Sequence, residues 1–291
     1  VLQMLAGLAL VPETSYNVAF YLYGEAGTGK SVFLYVLRHV VGPTNCCTLP
    51  LAQFDDKFST WKLTTHLLNL VGELPTDDGR GRSLRHIEGM LKDATDGGMV
   101  PIERKHQEPG EAPVTARCVF ATNSMPRFAD RSGGVWDRLR IIPFAQRFRG
   151  TAEDNPNLRN EIVEQELPGV FLWAVRGLAK LRQRRHFPEH SAGAMERDRH
   201  RLRCDVERRF LEDHVEPGTG DDFVERTPLY EHFREWLADN GHRQRSSAGF
   251  YEAVERVFGV TAARKQVAGR RRRGWPGLRL LRESGQRGQV Y

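Results

Sequence analysis

Gly24, Glu25, Ala26, Gly27, Thr28, Gly29, Lys30 and Ser31 fit G-x-x-x-x-G-K-[ST] at every fixed position. The chemistry of that spacing is phosphate capture. Glycines let successive backbone N–H groups converge on phosphate oxygens, and a helix beginning at Lys30 adds positive potential at its N-terminus. Lys30 suits the β- and γ-phosphates, the Ser31 hydroxyl suits Mg²⁺, and Val32 closes the loop. A nucleoside triphosphate such as ATP, with Mg²⁺, is the expected ligand.

A loop of this kind needs a strand before it and a helix after it. Residues 18–23 are β-branched and aromatic, as in a buried strand, while Val32, Phe33, Val36, Leu37 and Val40 recur at helical spacing. Further strands are predicted over 67–71, 117–121 and 139–143, with a weaker one near 47–49. Helices are predicted over 31–41 and 84–94. Such alternation predicts an α/β fold, a parallel sheet covered by helices on both faces. Ligand chemistry then collects at the carboxyl ends of the strands. Glu73 stands there as a candidate general base, able to polarise the water that attacks the γ-phosphate. Asn123, after the strand 117–121, is a candidate for holding that water or sensing the γ-phosphate.

Composition narrows the class. The 291 residues are 40% hydrophobic and 27% charged, typical of a globular protein with one large or two smaller domains. No apolar run approaches the roughly 20 residues of a membrane span. Cys46, Cys47, Cys118 and Cys204 show no C-x-x-C pairing, and the ten histidines have no ligand spacing, so structural thiols in a reducing, cytoplasmic compartment are expected. Val1 is neither an initiator Met nor the start of a signal sequence, which reads as a fragment of a longer polypeptide. Net charge is +6, but from residue 264 onward nine basic residues face Glu283 alone. A basic end on a nearly neutral body is the footprint of a phosphate-backbone partner.

The order of residues 24–31, Glu73, Lys105-His106, Thr122-Asn123-Ser124-Met125-Pro126 and the run Asp130-Arg131-Ser132-Gly133-Gly134-Val135-Trp136-Asp137-Arg138-Leu139 resembles the superfamily 3 helicase domain of phage, plasmid and poxvirus primase-helicases. The resemblance is close over residues 1–150 and looser beyond. It implies an AAA+ fold, a ring-shaped homo-oligomer, commonly a hexamer, ATP hydrolysis at subunit interfaces and movement along single-stranded DNA in replication of a mobile element. A primase domain often precedes such a helicase.

The resemblance also implies roles. Arg138 matches the arginine finger that reaches a neighbour's ATP, with Arg140 and Arg131 as rivals; the local alternative is a salt bridge to Asp137 or Asp130. Two short apolar-bearing arms flank a polar centre over residues 99–114, as in a hairpin. In the family this hairpin projects into the ring channel, where a Lys-His pair grips DNA; Lys105 and His106 match it, with Arg104 beside them. Gly72 departs from the acidic residue that many P-loop ATPases place before the catalytic carboxylate, which leaves Glu73 to serve both as base and toward Mg²⁺.

Residues 1–150 are thus the expected helicase core, 151–200 a helical segment and linker, and 201–291 a small winged-helix-like module. Val170, Phe171, Ala174, Val175, Leu178 and Leu181 read as one core-facing stripe, and 193–203 as a linker or exposed helix. In the module, Thr227-Pro228 predicts a helix start and Ser247 a cap for the next helix. Arg270, Arg271, Arg272 and Arg273 lie in a predicted basic turn of a two-stranded wing, as candidate DNA contacts. An ATP-gated DNA-binding regulator that does not unwind is the alternative function. A small-molecule kinase is disfavoured, since no lid-like arginine cluster follows the sheet.

Overall fold

The computed structural model describes residues 1–54, 56, 58–72, 84–103, 108–125, 128, 133–242, 244–267 and 269–281, with residues 84–87 described by their backbone alone. Glu73, Arg104, Lys105, His106 and Arg131 lie outside the described residues. Two compact units divide the chain, Val1–Arg201 and Leu202–Tyr291.

The first unit is built on a five-stranded parallel sheet in the order β2 (Cys46–Cys47), β3 (Leu68–Val71), β6 (Arg117–Thr122), β1 (Ala19–Tyr23), β7 (Leu139–Pro143). Its central strands are buried nearly throughout, which is why they read as continuous apolar runs. Phe20 and Leu22 of β1, Leu68 of β3, and Val119 and Ala121 of β6 meet Leu34 and Leu37 of α2 (Lys30–Val41) in one core. Each such large side chain contributes about 1.5–3 kcal/mol on burial.

Two buried polar side chains tie irregular segments to this sheet. The Asn69 amide bridges the backbone of Leu49, accepting from its N–H at 2.7 Å and donating to its carbonyl at 3.0 Å. Arg117 donates to the carbonyls of Tyr16 and Glu13, which fixes the lead-in to β1. Burial lowers the Arg117 pKa, and these carbonyl acceptors offset part of that penalty by pairing Nη1 and Nη2.

Three further helices precede the hairpin in the first unit: α1 (Leu2–Leu8), α3 (Trp61–Thr65) and α4 (Leu84–Asp96). β4 (Met99–Ile102) and β5 (Gly110–Pro113) pair antiparallel, Met99 opposite Pro113 through Ile102 opposite Gly110, as the two arms of the hairpin read from the sequence. After it come α5 (Gly134–Arg138), α6 (Leu158–Glu161), a π-helical turn at Ile162–Glu166, α7 (Leu167–Arg184) and α8 (Ser191–Cys204).

The stripe on α7 differs from its sequence reading. Ala174, Gly177 and Leu181 are buried, whereas Phe171 and Val175 are 44% and 41% exposed. The reason is close helix packing: Gly177 lies against the Gln3 carbonyl, and Gly7 of α1 against the backbone of Ala174 and Leu178. Small residues set the contact, so the buried face is rotated away from the largest side chains.

The second unit holds α9 (Val206–His214), β8 (Val215–Pro217), β9 (Phe223–Glu225), α10 (Arg226–Asp239), α11 (Ser247–Phe258), β10 (Ala263–Val267), β11 (Arg270–Pro276) and β12 (Leu278–Leu280). Phe210, Phe233, Phe250 and Trp275 fill its core, with Phe233 and Phe250 stacked at 4.3 Å. The predicted caps shift, Thr227 to Glu225 and Ser247 to Ser246. Ser246, not Ser247, caps α11 by accepting from the Gly249 N–H, and α10 starts at Arg226 with Glu225 as its N-cap. A larger correction concerns the basic run. Arg270, Arg271, Arg272 and Arg273 are not a turn but strand residues of β11, which pairs with both β10 and β9.

Candidate functional site

The phosphate-binding loop leaves the carboxyl end of β1, which sits between β6 and β7 in the sheet. Gly27 and Gly29 have φ of +82° and +88°, a region open to glycine and costly for other residues. Gly29 is also the N-cap of α2, and no side chain caps the first-turn N–H groups. Those donors, with the helix dipole behind them, are of the kind that suits an anion.

Lys30 folds back over the loop. Its Nζ donates to the Gly24 carbonyl at 2.5 Å, the Glu25 carbonyl at 2.6 Å and Thr28 Oγ1 at 3.3 Å. Partial burial lowers its pKa. Buried Thr28 braces the loop by donating to the Glu25 carbonyl at 2.9 Å. Ser31 is exposed at the start of α2, with its hydroxyl available to a metal-bound phosphate.

The loop opens onto a cleft of about 1490 Å³. Gly72, at the end of β3, and Asn123, at the end of β6, line it together with Lys30 and Ser31. With Ile142 and Pro143 of β7, all four strands predicted over 18–23, 67–71, 117–121 and 139–143 therefore deliver their carboxyl ends to one cavity. The chain reaches its rim one residue before Glu73, and Asn123 is exposed there. At its other end the cleft is apolar, walled by Val36, Val40, Ile162, Val170 and Trp173. A polar phosphate end and an apolar end together fit a nucleotide. Mg²⁺ would be held by Ser31 and, on the sequence reading, by Glu73; among the described residues no cluster of metal ligands occurs.

One wall of the site escaped the sequence reading. Residues 144–149 strap the loop from outside: the Phe144 N–H donates to Tyr23 at 2.7 Å, and the N–H groups of Phe148 and Arg149 both donate to the Gly27 carbonyl, at 2.9 and 3.2 Å. Arg149 lines the cleft, as does Arg159, whose guanidinium lies 5.0 Å from the Tyr35 ring centroid. The arginine in Arg147-Phe148-Arg149 was visible in the sequence, but its approach depends on where the chain turns after β7.

Arg138 does not line this cleft. It ends α5, where its Nε and Nη2 make a bidentate pair with Asp96 at 2.9 and 2.6 Å and its Nη1 donates to the Gly134 carbonyl at 2.7 Å. Asp96 is the last residue of α4, three residues before the hairpin strand β4. Arg140 is half-buried in β7 and donates to the carbonyls of Asp137 and Leu139. Its burial lowers its pKa, with Arg197 nearby acting in the same direction.

Comparison with known proteins bears on this arrangement. A family of unknown function, DUF5906, matches residues 22–138. Replication protein E1 of Human papillomavirus 28 is 28% identical over 149 residues, half of this chain and 20% of that protein. A protein of Acanthamoeba polyphaga mimivirus named as a helicase is 22% identical over 253 residues, 78% of this chain and 25% of that protein. These relatives are viral proteins, one named for replication and one as a helicase.

The chain spans a quarter or less of these relatives. Among solved structures, the apo structure of the NrS-1 C terminal region superposes with a TM-score of 0.57 at 13% identity, covering 95% of this chain and 70% of that one. The shared fold is a parallel sheet flanked by helices, as the alternation of strands and helices predicts. Among the described residues no helix is long and apolar enough to cross a membrane.

Proposed function

We propose that this chain is the ATP-driven motor of a viral or other mobile-element replication helicase, corresponding to the C-terminal part of a primase-helicase. The observation that carries the reading is the shared cleft: an α2 N-terminus without a side-chain cap, with Lys30 and Ser31, lined also by Gly72 and Asn123 after the ends of β3 and β6.

In this reading Lys30 and the loop N–H groups from Gly24 to Val32 hold the triphosphate, and Ser31 with Glu73 holds Mg²⁺. The metal neutralises phosphate charge when bound. Glu73 takes a proton from the attacking water, and Asn123 orients that water. Arg138 acts in a neighbouring subunit's site, which agrees with its position outside its own cleft. Exposed Phe171, Leu172 and Val175 on α7 support self-assembly, and a hexameric ring is the expected form. Arg104, Lys105 and His106 would then grip single-stranded DNA at the tip of the β4–β5 hairpin, in the ring channel.

The test is a pair of variants. Glu73→Gln should retain ATP binding and lose turnover, while replacing Lys105 and His106 by Ala should spare ATP binding and abolish strand displacement. Wild-type ATPase in the first would remove Glu73 from the mechanism. Unchanged unwinding in the second would remove the hairpin from the DNA path.

A further inference from the structure

The second unit carries a concentrated charge that the motor reading does not use. In the β10–β11 ribbon Arg264 pairs directly with Arg273, and Lys265 with Arg272. Like charges directly opposite on a sheet repel, so each pair calls for compensation. One face has it. Strand alternation places Lys265 and Arg272 on the side of Phe223 and Glu225. There Lys265 Nζ donates to the Asp221 carbonyl at 2.7 Å and lies 5.9 Å from the Phe223 centroid, and Arg272 Nε is 3.6 Å from Glu225.

The opposite face has no such partners. Arg264, Gln266, Arg271 and Arg273 share it, in line with buried Trp275, and all four are exposed. Among the described residues, the side chains of Arg264, Arg271 and Arg273 make no hydrogen bond or ion pair. The carboxylate at the Trp275 end, Glu255, is occupied by Arg226 at 2.9 Å and by the indole N–H of Trp275 at 3.4 Å.

We propose that this face binds the phosphate backbone of duplex DNA. Arg271 and Arg273 project on one side at about 6.8 Å spacing, with Arg264 beside them across the ribbon. Single-strand binders rely on exposed aromatic platforms. Here Trp275, the aromatic residue in line with these arginines, is buried, and Tyr251 beside it is covered by the Arg226 guanidinium, so this face offers cations to phosphates rather than rings to bases. A two-stranded ribbon enters the DNA major groove, whereas the deep, narrow groove of duplex RNA excludes it. The unit would hold the unopened duplex without sequence preference, separately from a single strand at the motor.

The whole chain, without nucleotide, is titrated onto a fluorescent DNA duplex and onto a fluorescent oligo-dT strand, following anisotropy across a salt series. R264Q/R271Q/R273Q should weaken duplex binding about tenfold or more and flatten the log–log salt slope by about 2.7, with oligo-dT binding little changed. The charge-matched R208Q/K265Q/R279Q, whose cations already have partners within the protein, should bind duplex like wild type. Relief of the Arg264–Arg273 repulsion should also leave the first variant's melting temperature unchanged or raised. R271Q alone, with a slope change of about 0.9, serves if the triple variant misfolds.

Wild-type duplex affinity and slope in both arginine variants would overturn the proposal, as would equal losses in the charge-matched control. Because no nucleotide is present, failure of the motor reading would leave this measurement intact.

Discussion

Asp96→Ala and Arg138→Ala break the same ion pair, and comparing them isolates what Arg138 does beyond it. The pair is bidentate and charge-assisted, but its side chains are 22% and 36% exposed. Solvent screening therefore places its worth between that of an exposed pair and a buried charged hydrogen bond, about 1–2 kcal/mol. For a unit of this size Asp96→Ala should lower the melting temperature by about 2–8 °C. Arg138→Ala also removes the bond to the Gly134 carbonyl, which adds about 0.5–1.5 kcal/mol.

A finger role predicts a different scale in catalysis. Steady-state ATPase with DNA present should fall about 10³-fold or more in Arg138→Ala, roughly 4 kcal/mol of transition-state stabilisation. That exceeds the whole value of the ion pair. Asp96→Ala, which keeps the guanidinium but unfixes it, should lose about tenfold or less. Mixing Arg138→Ala with wild-type chains should restore turnover at interfaces where the wild-type subunit supplies the arginine. Equal ATPase in the two variants, at whatever level, would mean that Arg138 is only a structural partner of Asp96.

Other perturbations probe the site and its frame. Gly27→Ala combines a φ of +82° with a Cβ 2.5 Å from that of Arg149, so the strap over residues 144–149 must shift; nucleotide affinity by calorimetry should fall about tenfold or more while circular dichroism stays native. Gly177→Ala drives a methyl into the Gln3 carbonyl and should cost about 2–3 kcal/mol, read as a lower melting temperature with little change in ATP affinity just below it. Burial pushes the Cys47 thiol up to about 12 and the Cys118 thiol to about 11, so both stay protonated at pH 8; mass spectrometry after iodoacetamide should find them unmodified until denaturant is added. In the second unit, the Thr219 N–H and hydroxyl hold Asp222 below its ordinary range. A depressed carboxylate stabilises the fold above its unfolded pKa and loses that contribution as pH falls through the folded value, so Asp222→Asn should flatten the acid limb of the stability profile.

Residues 24–31 were legible because the phosphate cradle is local: loop, glycines and helix start are contiguous, and their chemistry is fixed by backbone geometry and a few side chains. The parallel sheet was legible because strands buried on both faces must be continuously apolar. What the linear chain left open was everything set by packing between distant segments. Phe171 and Val175 fit a helical stripe, yet Gly7 and Gly177 decide which face of α7 meets α1. The arginines of β11 read as a turn, because charge runs are usually solvated loops; only pairing with β10 and β9 made them strand residues with two unlike faces. The return of residues 144–149 to the Gly27 carbonyl, and the clasp between Asp96 and Arg138, depend on contacts between segments far apart along the chain. Local chemistry set the expected ligand class from sequence; tertiary structure alone decided which cations are held by the protein itself and which are left exposed.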